Sequence, residues 1–288
     1  MILTKSISAL PELWISKVNA VKAGDRRIIM IRLKTEKDIE GLRKSGRILS
    51  HIISELKSII AVGVRLDELE KKAADLLDDA GAEGAFLGYR PEQGSEAYPA
   101  NTCISLNEQI VHGLPDNRLI SDGDAVSVDI GVRYKGYITD AAFTVAVGNA
   151  SEEKLRLISV TRQALLLAIA ECIPGKHLGD IGNAVERHAG DNGFKVIRNL
   201  VGHGVGFAVH EEPEVYNFGE PGKGIELVSG MVLALEPMLS VSALRAVREK
   251  DGSFVTEDGS PSAHFETTVA ITESGPEVLV EAPAIFSV

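Results

Sequence analysis

The segment VSVDIGVRYKGYITDAAF, residues 126–143, restricts the fold more than any other part of the chain. Val126, Val128 and Ile130 alternate with Ser127, Asp129 and Gly131, the period of a strand with one apolar face. A second alternating run begins a few residues later, a separation that suits a hairpin rather than a crossover. A two-residue turn at Tyr134–Lys135 sets Arg133 against Gly136. That register puts Asp129 directly opposite Asp140, on the face turned away from the apolar residues. Facing carboxylates repel unless a cation lies between them, whereas on an open face water would screen them. The hairpin alone leaves both readings standing.

The surrounding pattern repeats. Residues 35–61 have helical spacing, with Ile39, Leu42, Ile48, Ile52, Ile53, Leu56 and Ile60 on the apolar side and Thr35 followed by Asp38 as a capping signal. Residues 65–80 read as a second helix ended by Gly81, and residues 84–101 as a loop-rich stretch. After the hairpin come two more helices, near 151–172 and 177–191, then strands at 230–241 and 264–274. Two helices then strands, twice over, predict an α+β fold of two similar halves.

Further polar residues fall in places that disfavour them. Glu236 interrupts the apolar run GMVLALEPM, with Val232 and Ala234 on its own face, and burying an acid there is costly without a partner. Glu266 shares a strand face with His264. His203 and His210 stand seven residues apart in VGHGVGFAVHEEP, an interval that brings two side chains together neither on a helix nor on a strand; Gly204 and Gly206 would have to bend the chain between them. Asp129, Asp140, His203, Glu236 and Glu266 form an oxygen-rich set suited to Mn²⁺, Fe²⁺ or Co²⁺ rather than to a sulfur-rich structural zinc site. Five ligands exceed what one catalytic ion with an open position needs, and they fit a pair of divalent ions.

Those motifs carry a resemblance. CISLNEQIVHGLP (103–115), DIGVRYKGYITDAAFTVAVG (129–148), GHGVGFAVHEEP (202–213), GMVLALEPM (230–238) and SAHFETT (262–268) together resemble the type I methionine aminopeptidases, peptidase family M24. The resemblance implies the pita-bread fold, a curved antiparallel sheet with outer helices and pseudo-twofold halves. It implies that Asp129, Asp140, His203, Glu236 and Glu266 are ligands of two divalent metal ions. It also implies hydrolytic removal of the N-terminal methionine from nascent polypeptides, favouring small second residues. By the same resemblance Glu236 is the general base or proton shuttle, His210 stabilises the oxyanion, and His112 bonds the scissile amide or aids the leaving amine. Phe86, Tyr89, Tyr98, Cys103, Val209 and Phe254 fall where the family builds its methionine pocket, and Asn107 and Ser262 where some members bind a monovalent cation.

The chain departs from the family at several points. RPEQGSEA lengthens the loop between Tyr89 and Tyr98, Phe254 stands where tryptophan is common, Phe207 replaces an arginine, and Thr267 stands where histidine or asparagine is usual. These changes bear on side-chain preference and turnover, not on the metal ligands. The family's catalytic domain usually starts as this chain does at Met30. Residues 1–29 are therefore expected to be a dispensable extension, or the product of an upstream start codon, and 30–288 a single catalytic domain.

Composition excludes some classes. A net charge of −11 disfavours phosphate-bound nucleic acid and anionic membrane as partners. There is no apolar run long enough to span a bilayer and no secretory h-region. Two cysteines, Cys103 and Cys172, outside any CxxC pattern, read as reduced thiols of a cytoplasmic protein. A monomer is expected; the native metal and any docking on the ribosome stay open. The rival readings are an Xaa-Pro aminopeptidase or dipeptidase of the same fold, and a metal-free pseudopeptidase that binds without cleaving.

Overall fold

The computed structural model describes residues 13–19, 26–90 and 96–286. In chain order the first half contains β1 (Leu13–Asn19), β2 (Arg26–Arg32), α1 (Glu36–Ile59), α2 (Leu66–Asp79), β3 (Glu83–Gly84), β4 (Thr102–Leu106), β5 (Gln109–Val111), β6 (Ala125–Tyr134) and β7 (Tyr137–Ala146). The second half contains α3 (Glu152–Ala170), α4 (Leu178–Asp191), β8 (Lys195–Val196), β9 (Gly202–Gly204), β10 (Glu211–Val215), β11 (Val232–Leu235), β12 (Met238–Ser240), β13 (Ala246–Arg248), β14 (Phe254–Thr256), β15 (Ser262–His264), β16 (Glu266–Thr272), β17 (Gly275–Val278) and α5 (Pro283–Phe286). The expected order of two helices followed by strands, twice over, is present.

α1 starts where the chain says it should. The Thr35 hydroxyl accepts from the Asp38 backbone N–H, and the Asp38 carboxylate accepts from the Thr35 N–H, so two otherwise orphaned donors are satisfied. Its buried stripe runs Ile39, Leu42, Ser45, Gly46, Leu49, Ile52, Ile53, Leu56. Leu49, not Ile48, is the fully enclosed residue at the middle of that stripe; Ile48 packs at its margin.

The main sheet has nine strands in the order β10–β9–β11–β16–β7–β6–β3, with β17 beside β16 and β4 beside β6, all antiparallel. Its two faces differ in chemistry. Val126, Val128, Ile130, Phe143, Leu233 and Val269 point toward α1 and α3 and form the large core with Leu49, Ile53, Leu157 and Leu165. Residues of opposite parity, among them Ala234 and Ala270, line the other face beside Phe86, Cys103 and Val209. Both faces are covered, so β6 is buried along most of its length rather than open on one side.

The hairpin register differs from the expectation. Tyr134 pairs with Tyr137, and the turn residues are Lys135 and Gly136 with φ of +50° and +86°. Positive φ at both positions matches the twist of the strands, and glycine at the second makes that turn inexpensive. Asp129 therefore faces Ala142, and Asp140 faces Gly131. The shift is even, so the two aspartates stay on one face as diagonal neighbours. Two strands read as continuous are broken. Pro237 has no N–H to extend the ladder, so β11 stops at Leu235 and β12 resumes at Met238; Phe265 separates β15 from β16 opposite that break.

At the N-terminus β1 and β2 pair in register from Leu13↔Arg32 to Asn19↔Arg26, so the pairing runs across residue 29. Truncating Leu49 to alanine should cost about 2–5 kcal/mol in urea unfolding, as expected for an enclosed leucine. The same truncation at Ile48 should cost less than half as much. Equal losses would contradict the observed helix register.

Candidate metal centre

Five successive strands of the sheet each bring one ligand candidate to the same face. His203 is on β9, Glu236 follows β11, Glu266 opens β16, Asp140 is on β7 and Asp129 on β6. The cross-strand register links them: His203 pairs with Ala234, Glu266 with Ala142, and Ala142 in turn with Asp129. Thr268 locks two of these strands, accepting from the Asp140 N–H and donating to the Asp140 carbonyl, each at 2.8 Å. Side chains that lie some 137 residues apart in sequence (266 − 129) thus meet on one patch of sheet.

All five are enclosed. Asp129, Asp140, His203 and Glu266 retain 9%, 3%, 8% and 2% of their accessible surface. Asp140, His203 and Glu266 each offer a ligand atom within 4.8 Å of the others, and Glu236, His264 and Glu266 do the same. These two triads share Glu266. Asp129 belongs to neither, yet its charge acts on Glu236 and Glu266.

Burial drives all four carboxyls upward, and the charges of neighbouring carboxylates add to it at Asp129, Glu236 and Glu266. Asp129, Glu236 and Glu266 are held well above the usual carboxyl range, and Asp140 rises to about 7. Desolvation lowers His203 to about 3, so its imidazole is neutral. Its Nδ1 lies 2.9 Å from the Gly204 carbonyl, which can only accept; the ring proton is therefore on Nδ1 and Nε2 carries a free lone pair, 3.5 Å from Glu236 Oε1. Among the described residues, Asp129 Oδ1, Asp140 Oδ1 and Glu266 Oε1 have no hydrogen-bond partner. Orphaned acceptors this deep are costly unless a cation meets them. The residues present fit divalent metal.

The structure adds one residue for which the sequence suggested no role. His264 is 1% exposed, and neither ring nitrogen has a hydrogen-bond partner among the described residues. Its Nε2 is 3.7 Å from Glu236 Oε2 and 3.8 Å from Glu266 Oε2. The available signal was its position two residues before Glu266; what could not be read was that Glu236 approaches from another strand.

His210 and His112 flank the centre. The His210 ring meets His203 edge-on at 4.3 Å between centroids, and its Nδ1 lies 2.6 Å from the Tyr89 hydroxyl. Enclosure lowers its pKa, and lowers that of His112 to about 4, although each ring keeps an open edge. The bend between His203 and His210 comes at Gly206 (φ +139°), whereas Gly204 stays within β9. His112 is itself left-handed (φ +60°), and Phe254 stands edge-on to it at 5.5 Å.

Phe86, Tyr89, Tyr98, Cys103 and Val209 gather in one apolar cluster on the site face, while Phe254 sits apart, against His112. Tyr89 and Tyr98 close the inserted loop through a 2.8 Å backbone bond from the Tyr98 N–H to the Tyr89 carbonyl; residues 91–95 of that loop lie outside the described residues. The Tyr98 hydroxyl is within 3.1 Å of the Thr102 and Gly113 carbonyls and also meets the Cys103 thiol, so it is held among its neighbours while the ring packs in the cluster. Thr267 points to the opposite face and bonds the Val280 carbonyl. That departure therefore lies in the core.

The sequence matches the Metallopeptidase family M24 over residues 40–273. A methionine aminopeptidase of Clostridium perfringens is 43% identical over 251 residues, covering 87% of this chain and 98% of that protein. One from Aquifex aeolicus is 44% identical over 257 residues, covering 87% and 99%. The solved methionine aminopeptidase of Thermotoga maritima superposes with a TM-score of 0.83 at 41% identity, covering 88% of this chain and all of that one. A prolidase from Pyrococcus furiosus gives 0.68 at 23% identity over 87% of this chain and 65% of its own, a likeness of fold. The antiparallel sheet with outer helices is thus the pita-bread fold. The chain belongs to metallopeptidase family M24, among its methionine aminopeptidases.

The pKa shifts set the sign of a pH effect. The carboxyls bind protons more tightly folded than unfolded, so they remove stability as pH rises from their unfolded values through their folded ones. The histidines oppose this only below about 6.5, where unfolded imidazole titrates. Metal-free protein should therefore lose thermal stability between about pH 6.5 and 8. Added Mn²⁺ should abolish or reverse the loss. A metal-free melting temperature that is flat or rising across that window would contradict the carboxyl cluster.

Proposed function

We propose that this chain hydrolyses the peptide bond after a free N-terminal methionine, using two divalent ions held by Asp129, Asp140, His203, Glu236 and Glu266. The observation that carries the reading is the set of buried, partly orphaned carboxylates on successive strands, arranged as two overlapping triads beside an apolar cluster. Bound divalent metal supplies Lewis-acid polarisation and a water acidic enough to act at neutral pH. Mn²⁺, Fe²⁺ and Co²⁺ suit the donor set.

The protein's own groups do the rest. Glu236, with a raised proton affinity and histidines on both sides, takes the proton of the attacking water and returns it to the leaving amine. The Tyr89 phenol, kept protonated by burial, donates to His210 Nδ1, which leaves the proton on Nε2 to bond the carbonyl oxygen as it gains charge. Neutral His112 bonds the scissile amide. Phe86, Tyr98, Cys103 and Val209 supply an apolar wall for the flexible, unbranched thioether, and burial keeps the Cys103 thiol protonated. Phe254 completes the site by fixing the His112 ring.

The Asn107 and Gln109 carbonyls converge on the Ser262 hydroxyl at 3.0 and 3.1 Å, which supports a monovalent cation there. All seven proposed metal and catalytic residues come from one chain, in keeping with a monomer. Two free buried cysteines accord with a reducing cytoplasm, where nascent chains leave the ribosome. No described helix is long and apolar enough to cross a membrane.

A digest of Met-Gly-Met and Xaa-Pro peptides with each metal in turn tests the activity, and preferential Xaa-Pro cleavage would overturn it. His203→Ala should lose metal and nearly all turnover. His210→Ala should keep the metal but lose about 2.7–4 kcal/mol of transition-state stabilisation. Equal loss of metal in both would refute the division of roles. Because the ligands and both histidines lie beyond residue 100, we also propose that residues 1–29 are not needed for the chemistry. A chain beginning at Met30 should bind metal and turn over like the full one; loss of either would show that residues 1–29 are required.

A further inference from the structure

The loop that carries His210 is fastened by a buried ion pair outside the reacting centre. Lys34 follows β2, and its side chain retains 2% of its accessible surface. Its Nζ lies 2.6 Å from Glu211 Oε2, while the other oxygen of that carboxylate accepts from the backbone N–H groups of Phe207 at 2.6 Å and Ala208 at 2.9 Å. One carboxylate thus ties a buried ammonium to two amides of the segment between His203 and His210.

The stem of Lys34 is enclosed by that same segment. A Cβ on Gly206 would come within 2.7 Å of Lys34 Cε, so the loop turns around the lysine with no space for a side chain. The lysine is itself anchored, its N–H donating to the Gly230 carbonyl at 2.7 Å, just before β11. Arg32, two residues earlier, lies with its guanidinium 3.7 Å from the centre of the Phe207 ring, and Lys34 Nζ is 5.4 Å from it. An aromatic face at 207 suits two neighbouring cations, where a third cation would repel them.

We infer that Lys34 and Glu211 are positioning residues for His210, and that catalysis depends on them through that ring. Three restraints then define the imidazole: the ion pair sets the loop, the Gly206 carbonyl accepts from the Ile138 N–H at 2.7 Å to pin the loop to β7, and the Tyr89 hydroxyl sets the ring. The inference rests on the carbonyl-binding role proposed for His210. The reason it matters is geometric: a misplacement of about 1 Å at a reacting group can cost about 100-fold in rate.

The test uses Lys34→Met and Glu211→Gln in the full chain loaded with Mn²⁺. Glutamine keeps the acceptor for the two amides while losing the charge that meets Lys34, so it serves if methionine at 34 prevents folding. Both variants should bind metal like the parent and keep KM for Met-Gly-Met within about threefold. Turnover should fall by about 10- to 100-fold. In a His210→Ala background, adding either change should lower turnover by less than about twofold, since the group it positions is gone. Histidine ¹⁵N spectra of the metal-free protein, assigned with His210→Ala, should show the His210 signals moved or broadened while those of His264 stay. Unmoved His210 signals, or the same fold-loss with and without His210, would overturn the inference. If His210→Ala alone left turnover unchanged while Lys34→Met still shifted the His210 signals, the carbonyl role would fail and the brace would stand as a structural feature only.

Discussion

Repulsion among four buried carboxylates is the constraint on which the rest of this structure depends. Asp129, Asp140, Glu236 and Glu266 are desolvated together, and the charges of Asp129, Asp140 and Glu236 further raise the proton affinity of neighbouring carboxyls. A fold that assembles such a cluster must either keep protons on it or bring cations to it. Divalent metal bound at this cluster would supply the second solution and would then stabilise the folded state as well. The sheet supplies the rigidity that this demands. Five adjacent strands present one ligand candidate each, and the Thr268 clamp on Asp140 holds two of them in fixed register.

The same sheet separates two tasks by parity. On β16, Glu266 and Thr268 face the site while Thr267 and Val269 face the core, and on β11 Ala234 faces the site while Leu233 and Leu235 face the core. Small residues on the site face leave room for ligands, and large ones on the other face stack against α1 and α3. Glu236 follows Val232 and Ala234 in the alternation onto the site face, and its carboxylate lies between His203 and His264 just before Pro237 ends the ladder. The two histidines outside the ligand set sit on less regular backbone, His112 at a left-handed residue and His210 at the end of the loop braced by Glu211.

Much of the fold was legible in the chain because it is encoded locally. The capping box at Thr35, the 3.6-residue stripe of α1 and the alternation in β6 need no distant partner to be recognised. The aspartate pair was also legible as sharing a face, because an even register shift preserves parity. Its exact pairing was not, since the choice between Tyr134–Lys135 and Lys135–Gly136 as the turn depends on strand twist. Ile48 and Leu49 are equally apolar, and the direction from which α2 and the sheet approach decides which one is enclosed.

What the sequence by itself determined is the inventory and its order: five acids and imidazoles suited to hard divalent ions, two further histidines, and a set of apolar and aromatic residues. Tertiary structure alone decided how these meet. It brought His264 against Glu236 and Glu266, set the Tyr89 hydroxyl on His210, and buried Lys34 against Glu211, 177 positions away along the chain. None of these contacts has a local signature, because each depends on the order in which strands pair across the sheet. Long-range pairing is where the free energy of burying charge is settled, and a linear pattern carries only the residues that take part.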